Sequence, residues 1–514
     1  MDILPVAMLS IDGGPLRIVD VVRVARDRES VELAESVAER MAATHRVVDA
    51  LDAANDVVYG VTTGFGALAD KAVEPADRAA LQRAVVLSHA AGMGERLDDE
   101  VVRGMILLRA RTLAAGKSGV RIELPQALIA LLQEDVVPWV PAHGSLGASG
   151  DLAPLAHAAC VLLGDGWVVN GKERVPASAA LESRHMQTLQ LRPKEGLALI
   201  NGTDAAAAIL ALAVHDLSAL LVAADCACAM SVEALLGTAR AYAEDVVALR
   251  PSPGQQASAA NLRALLRDSP LVESHRPSHH AVQDAYSLRC APQVHGAARD
   301  ALAFCRDTVE RELDSIVDNP VVLDGAVVSA GNFHAQALAY AADLAASICA
   351  DVAAISERRV DRMLDPARSR GLPAFLSREP GLNSGFMIAQ YTAAAIIAAL
   401  RTAATPLAVH SATTSAGQED HVSMAHEAAL RTRGSVEQLR NVLSVEFMCA
   451  AQAIELRAPL KPARATGALL SALRERIAPL EQDRALHDDM AAVNEWLCDS
   501  GHRVSVQAAG EGLR

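Results

Sequence analysis

Aromatic side chains are scarce in this chain: three Trp, five Tyr and six Phe, 3% of 514 residues. Apolar residues still make up 51%, so the core must be filled mainly by Ala, Leu and Val. That composition suits closely packed helices better than a β-sandwich. Cysteine occurs eight times but never as C-x-x-C, and only Cys226 and Cys228 lie close together. The pattern argues against a disulfide framework and reads as scattered buried thiols in a reducing compartment. There is no HExxH and no Cys/His cluster at zinc spacing; His279-His280 is a weak metal hint. Basic charge is also short, with 47 Lys plus Arg against 62 Asp plus Glu and a net charge of −15. A general nucleic-acid or membrane-surface binder is therefore not expected. No basic segment followed by an apolar one opens the chain, and the clean apolar runs, such as 205–214, are too short to span a bilayer. The expected setting is the cytoplasm, with no metal, nucleic-acid or membrane partner.

A chain this long can bury a large core. Residues 3–22 read as a short strand pair around Asp12-Gly13-Gly14. Helical periodicity follows at 30–54, 75–93, 98–115 and 125–134, and again from Pro154. A glycine-rich loop, YGVTTGFG at residues 59–66, separates the first two. Asn170-Gly171 and Asp324-Gly325 signal tight hairpins. From about Thr203 the pattern changes to long Ala/Leu-rich helices at 203–245, 290–318, 332–366, 384–410 and 421–458. Such lengths predict a bundle with a continuous core. Pro406, Gly417 and Gly434 are candidate breaks, and Asp318-Asn319-Pro320 stops a helix. The expected fold is mainly α: a smaller α-rich N-terminal part, residues 1–202, holding the loops, and a long central bundle with C-terminal helices, residues 203–514.

The chemistry centres on GSLGASGD, residues 144–151. Taken alone this is a flexible loop, since an Ala-Ser-Gly triplet arises by chance roughly 0.2 times in a chain of this length. A tight bend, however, brings the Gly150 amide nitrogen to the Ala148 carbonyl carbon. Glycine is the best nucleophile there because it has no Cβ to clash. Loss of water from the ring, and of the Ser149 hydroxyl as a second water, leaves an exocyclic methylidene. Asp151 could orient or deprotonate groups during closure.

The stretch GSLGASGDLAPLAH resembles the cofactor-forming loop of the aromatic amino acid ammonia-lyase family, and the resemblance extends from about Val57 to about Pro459. It is strongest to the members that act on histidine. It implies a 4-methylidene-imidazol-5-one group (MIO) formed from Ala148, Ser149 and Gly150, needing no metal, and a fumarase/aspartase-like helical architecture. YGVTTGFG implies that Tyr59 is the catalytic acid/base, and LSHAAGMG that His89 faces the substrate ring. ALINGTD points to Asn201 beside the cofactor. QDAYSLRCAPQ implies that Arg289 holds the substrate carboxylate, with Gln283 and Tyr286 nearby. GNFH points to Asn332 and Phe333 lining the pocket, and GQEDHVSM to Glu419 facing the imidazole or the ammonia. Without the resemblance these residues read more plainly. Tyr59 would be packing, His89 a core or capping histidine, Arg289 a surface ion-pair partner, Asn332 an N-cap, and 418–420 a polar helix start.

The sequence departs from the family at Gly417, at His295 and just after Phe333. The resemblance implies a homotetramer with shared active sites, a small amino acid substrate, and elimination of ammonia from L-histidine to give trans-urocanate. The same cofactor would serve an aminomutase making β-histidine, or a lyase for tyrosine or phenylalanine. An inactive helical scaffold is the alternative outside catalysis.

Overall fold

The computed structural model describes residues 8–54, 56–276 and 282–514, so His279 and His280 lie outside the described part. Among the described residues there are twenty α-helices and four two-stranded sheets, as a mainly α chain requires. The chain forms two compact units. One comprises Met1–His215, Arg306–Asp343 and Pro406–Arg433; the other comprises Asp216–Cys305, Leu344–Thr405 and Gly434–Arg514.

In the first unit, residues 8–22, the described part of the segment where a strand pair is expected, hold no hairpin. Met8–Ile11 pairs in parallel with Ser30–Leu33, and Ile18–Ala25 between them is a helix. Ile18, Val21, Val22 and Ala25 are buried, the i, i+3, i+4, i+7 set of one helix face. That period outweighs the β preference of an Ile/Val-rich run. Asp20 accepts the Arg17 backbone N–H at 2.9 Å and caps the first turn. Because Ser30–Leu33 is a strand, the following helix begins at Ser36. The hairpins Trp167–Asn170 with Glu173–Pro176, and Val321–Leu323 with Ala326–Val328, form as their Asn-Gly and Asp-Gly turns predict.

Helix Asp99–Ala114 runs through the interior of this unit, with every residue from Val101 to Ala114 buried. Its three arginines survive burial because their N–H groups find acceptors. Arg111, for example, donates to the Gly14 carbonyl at 2.7 Å and the Asp314 carbonyl at 2.6 Å.

The long helices expected from Thr203 onward form as Asp204–Ala234, Ala291–Asp314, Gln336–Leu364, Met387–Ala403 and Ala425–Glu455. The first stops well short of 245. Leu236 takes φ 49°, and the Gly237 N–H closes back on the Val232 carbonyl at 2.7 Å, a left-handed C-terminal turn. Pro406 follows the end of Met387–Ala403, Gly417 lies in a turn, and Gly434 sits inside Ala425–Glu455 without interrupting it. By length and composition, Asp204–Ala234 and Gln336–Leu364 could cross a membrane, which the short apolar runs do not foreshadow. Their most apolar windows are 78% and 61% buried within the protein.

Candidate active site

The loop at 144–151 is held in a tight bend. Gly147 and Gly150 form an antiparallel bridge, with φ of 86° and 79°. Ser149 between them has φ 51°, a conformation that costs a residue with a Cβ about 1 kcal/mol or more. The walls leave no room for larger residues. A Cβ on Gly150 would stand 2.1 Å from the Gly202 carbonyl oxygen, and one on Gly147 would stand 2.2 Å from Ser423 Oγ. The Asp151 N–H donates to that same Gly202 oxygen at 2.6 Å. Asp151 is buried; its carboxylate accepts from Ser145 Oγ at 2.8 Å and from the Ala206 N–H at 2.8 Å. The triplet is thus held in a tight bend against the Gly202 carbonyl and the Ser423 side chain, both distant in sequence.

Ser149 opens on a cavity of about 510 Å³ that is also lined by Tyr59, His89 and Glu419. Tyr59 sits in the glycine-rich loop, where its hydroxyl accepts the Gly66 N–H at 3.2 Å and its ring meets Phe65 edge-on. Burial raises the phenol pKa above 10; the Gly66 N–H opposes this, and the Glu419 carboxylate adds to it. A tyrosine base at neutral pH needs a lowered pKa, and within one chain the shift is the other way.

His89 ends helix Arg78–His89. Its Nδ1 lies 2.7 Å from the Val85 carbonyl, so a neutral ring donates there and keeps Nε2 as an acceptor. Glu419 belongs to a turn closed by Thr414, whose N–H donates to the Glu419 carbonyl at 2.8 Å and whose hydroxyl donates to Oε2 at 2.9 Å. Ser415 of that turn accepts the Ala67 N–H at 3.1 Å, joining the tyrosine loop to the Glu419 segment.

Ser415 carries no motif signal in the sequence. Leu81, Val85 and Ser88, which line the same cavity, share a helix face with His89 at three- and four-residue spacing, so periodicity could have found them.

Ala148, Gly150, Asn201, Asn332 and Phe333 do not line this cavity. Asn201 is 1% exposed and immediately precedes Gly202, which bridges Gly150. Arg109 fixes the segment. It donates to the Ala198 and Asn201 carbonyls at 3.0 and 2.9 Å and pairs with the buried Asp204 carboxylate. Asn332 and Phe333 occupy a turn before Gln336, not the helix start expected there. The neighbouring His334 stacks on His421 with ring centroids 5.3 Å apart, which brings the segment to the Glu419 region.

The second unit holds Gln283, Tyr286 and Arg289. The Arg289 guanidinium lies 4.6 Å over the Tyr286 ring, and its Nε is buried without a hydrogen-bond partner among the described residues. Gln283 lines a polar cavity of about 370 Å³ with Asp284, Arg240 and Arg370. His295 is a buried core residue whose Nδ1 lies 2.8 Å from Asp225. Gly417 has φ 91° and nothing within 4 Å of where a Cβ would stand, so backbone conformation accounts for the glycine. No group of three or more metal-ligating side chains occurs among the described residues.

The chain is 47% identical over 503 residues to histidine ammonia-lyase of Anaeromyxobacter sp. (strain K), covering 96% of this chain and 99% of that protein. Its fold is similar to tyrosine aminomutase from Streptomyces globisporus, with a TM-score of 0.93, 33% identity, and 99% and 100% of the two chains covered. It is also similar to histidine ammonia-lyase from Trypanosoma cruzi, with a TM-score of 0.90, 36% identity, and 98% and 96% covered. The profile of the family described as aromatic amino acid lyase matches residues 16–475. That span takes in the bent Ala148-Ser149-Gly150 loop and every residue of the cavity it faces, and on these grounds the chain belongs to the aromatic amino acid lyase family.

Proposed function

We propose that this protein is a histidine ammonia-lyase, releasing ammonia from L-histidine without oxidation to give trans-urocanate. The carrying observation is that Ser149, bent between Gly147 and Gly150, shares one cavity with a phenol, an imidazole and a carboxylate. The MIO group that Ala148, Ser149 and Gly150 would form supplies an electrophile for the substrate's amino group. Tyr59, as phenolate, removes the β-proton. His89 Nε2 accepts a hydrogen bond from the substrate imidazole, and Glu419 meets the ring or the departing ammonia. Arg289, with Gln283 and Tyr286 nearby, pairs with the substrate carboxylate; its unpartnered Nε is in keeping with that role. Asn201, Asn332 and Phe333 complete the surroundings. The working form is a homotetramer whose sites draw on several chains, and the eight free thiols are in keeping with a reducing cytoplasm.

The test is incubation of the purified protein with L-histidine, following urocanate absorbance and analysing products for β-histidine. Urocanate as the main product supports the reading. β-Histidine would make the protein an aminomutase, the activity named for one of its structural relatives. Preference for tyrosine or phenylalanine would overturn the substrate.

A further inference from the structure

We infer that the buried Lys194–Asp318 ion pair is a positioning device for Asn201, fixing which end of its amide is left free; the inference rests on the lyase reading above. Lys194 Nζ lies 2.8 Å from Asp318 Oδ2, and both side chains are fully buried. Removing two charges from water is costly, and a well-packed apolar pair would often stabilise the fold at least as well. The pair therefore needs a further reason, and its surroundings supply one. Asp318 Oδ1 accepts the Asn319 N–H at 2.7 Å and faces Asn201 Nδ2 at 3.4 Å. Asn201 Nδ2 also donates to the Asn319 carbonyl at 2.5 Å. Asn319 is itself held, since its Oδ1 accepts the Ala330 N–H at 2.7 Å. A carboxylate and a carbonyl only accept, so the amide can present nothing but its NH2 group to them. Oδ1 is thereby turned away from the pair, and it is buried with no hydrogen-bond partner among the described residues. Asn201 lies outside the cavity lining but adjoins Gly202, which bridges Gly150, so the free oxygen is an acceptor suited to an N–H of a substrate amino group brought to that loop. Lys194 and Asn201 are also the N-cap and C-cap of helix Glu195–Ile200, so one carboxylate ties down both ends of that helix.

The test is a double-mutant cycle on kcat for histidine with Asp318→Asn and Asn201→Ala. An Asn at 318 can turn its own NH2 toward Asn201, which leaves the Asn319 carbonyl alone to hold the amide and lets its two ends exchange more readily. Asp318→Asn should lower kcat about 10- to 100-fold while KM changes less than about threefold. In the Asn201→Ala background it should cause no further fall. Additive losses, or an unchanged kcat in Asp318→Asn alone, overturn the inference. Because Asp318→Asn leaves Lys194 unpaired, the cycle is repeated with Lys194→Met/Asp318→Asn, which buries no net charge and carries the same two outcomes. Intact mass separates the two readings. Variants short by two waters retain the lyase loop, so their kinetics decide the role of the pair. A wild-type protein without that mass loss defeats the lyase reading and the inference with it.

Discussion

Ser149→Ala removes the hydroxyl whose loss would create the proposed methylidene. The variant should fold, lack the two-water mass deficit of the native chain, and have no measurable lyase activity. A native chain of undiminished mass would end the cofactor proposal. Tyr59→Phe should keep the deficit but lower kcat about 10²–10⁴-fold, the usual contribution of a general acid-base group; near-normal turnover would move the role to Glu419. Since burial holds the Tyr59 phenol above 10, its reactive phenolate grows as pH rises, and activity should climb toward alkaline pH. A maximum near pH 6 would contradict a phenolate base. His89→Leu should depress kcat/KM for histidine strongly, because a buried ring nitrogen left unpaired costs about 1–3 kcal/mol, and it should still show the mass deficit. Measuring kcat/KM for histidine, tyrosine and phenylalanine in both proteins decides the point. Ser149 and Tyr59 are legible in the sequence because each sits among glycines that no core position needs. Ser415 is not legible, since its contact with Ala67 joins residues 348 positions apart.

Single elements were read well where a local rule governs them. The Asp324-Gly325 hairpin forms because Asp324 and Gly325 adopt φ of 49° and 78°, as such a turn requires. Residues 18–25 mislead because Ile and Val favour strands, while burial of one face decides for a helix. Gly434 misleads the other way: inside a 31-residue helix, one glycine costs about 1 kcal/mol and is tolerated. The C-terminal helices carry a pH-dependent element. His502, fully buried on helix Gly501–Ala508, has its pKa lowered to about 4 by burial, with a smaller push from Arg503. The folded form binds the proton less well than the unfolded chain, whose histidine titrates near 6.5. The stabilisation is therefore complete above about pH 6.5 and is lost as pH falls toward 4, amounting to about 3 kcal/mol. Thermal melts of wild type and His502→Phe should converge in their acid dependence only if other groups dominate. A clear loss of acid sensitivity in the variant is the expected result.

For the whole molecule, composition announced the helices: few aromatics, much Ala and Leu, and long unbroken patterns. It did not announce a chain that winds each unit from three separate stretches, because contacts between distant segments leave no local mark. The proposed sharing of active sites has a direct test. Tyr59→Phe and Arg289→Met are each expected to be nearly inactive alone. Co-expressed in equal amounts, they should recover about a quarter of wild-type activity if a symmetric assembly takes the two residues of each site from different chains. No recovery would mean that a single chain supplies both.

The walls around Ala148-Ser149-Gly150 are built by Gly202 and Ser423, far along the sequence. The bend cannot be complete until those regions have folded around it. Under the proposed cofactor chemistry, dehydration of the triplet would therefore leave a permanent record of successful folding, written into the covalent structure. In a refolding or cell-free synthesis experiment, the fraction of molecules lacking two waters should track the fraction natively folded, and chains trapped in aggregates should retain their full mass.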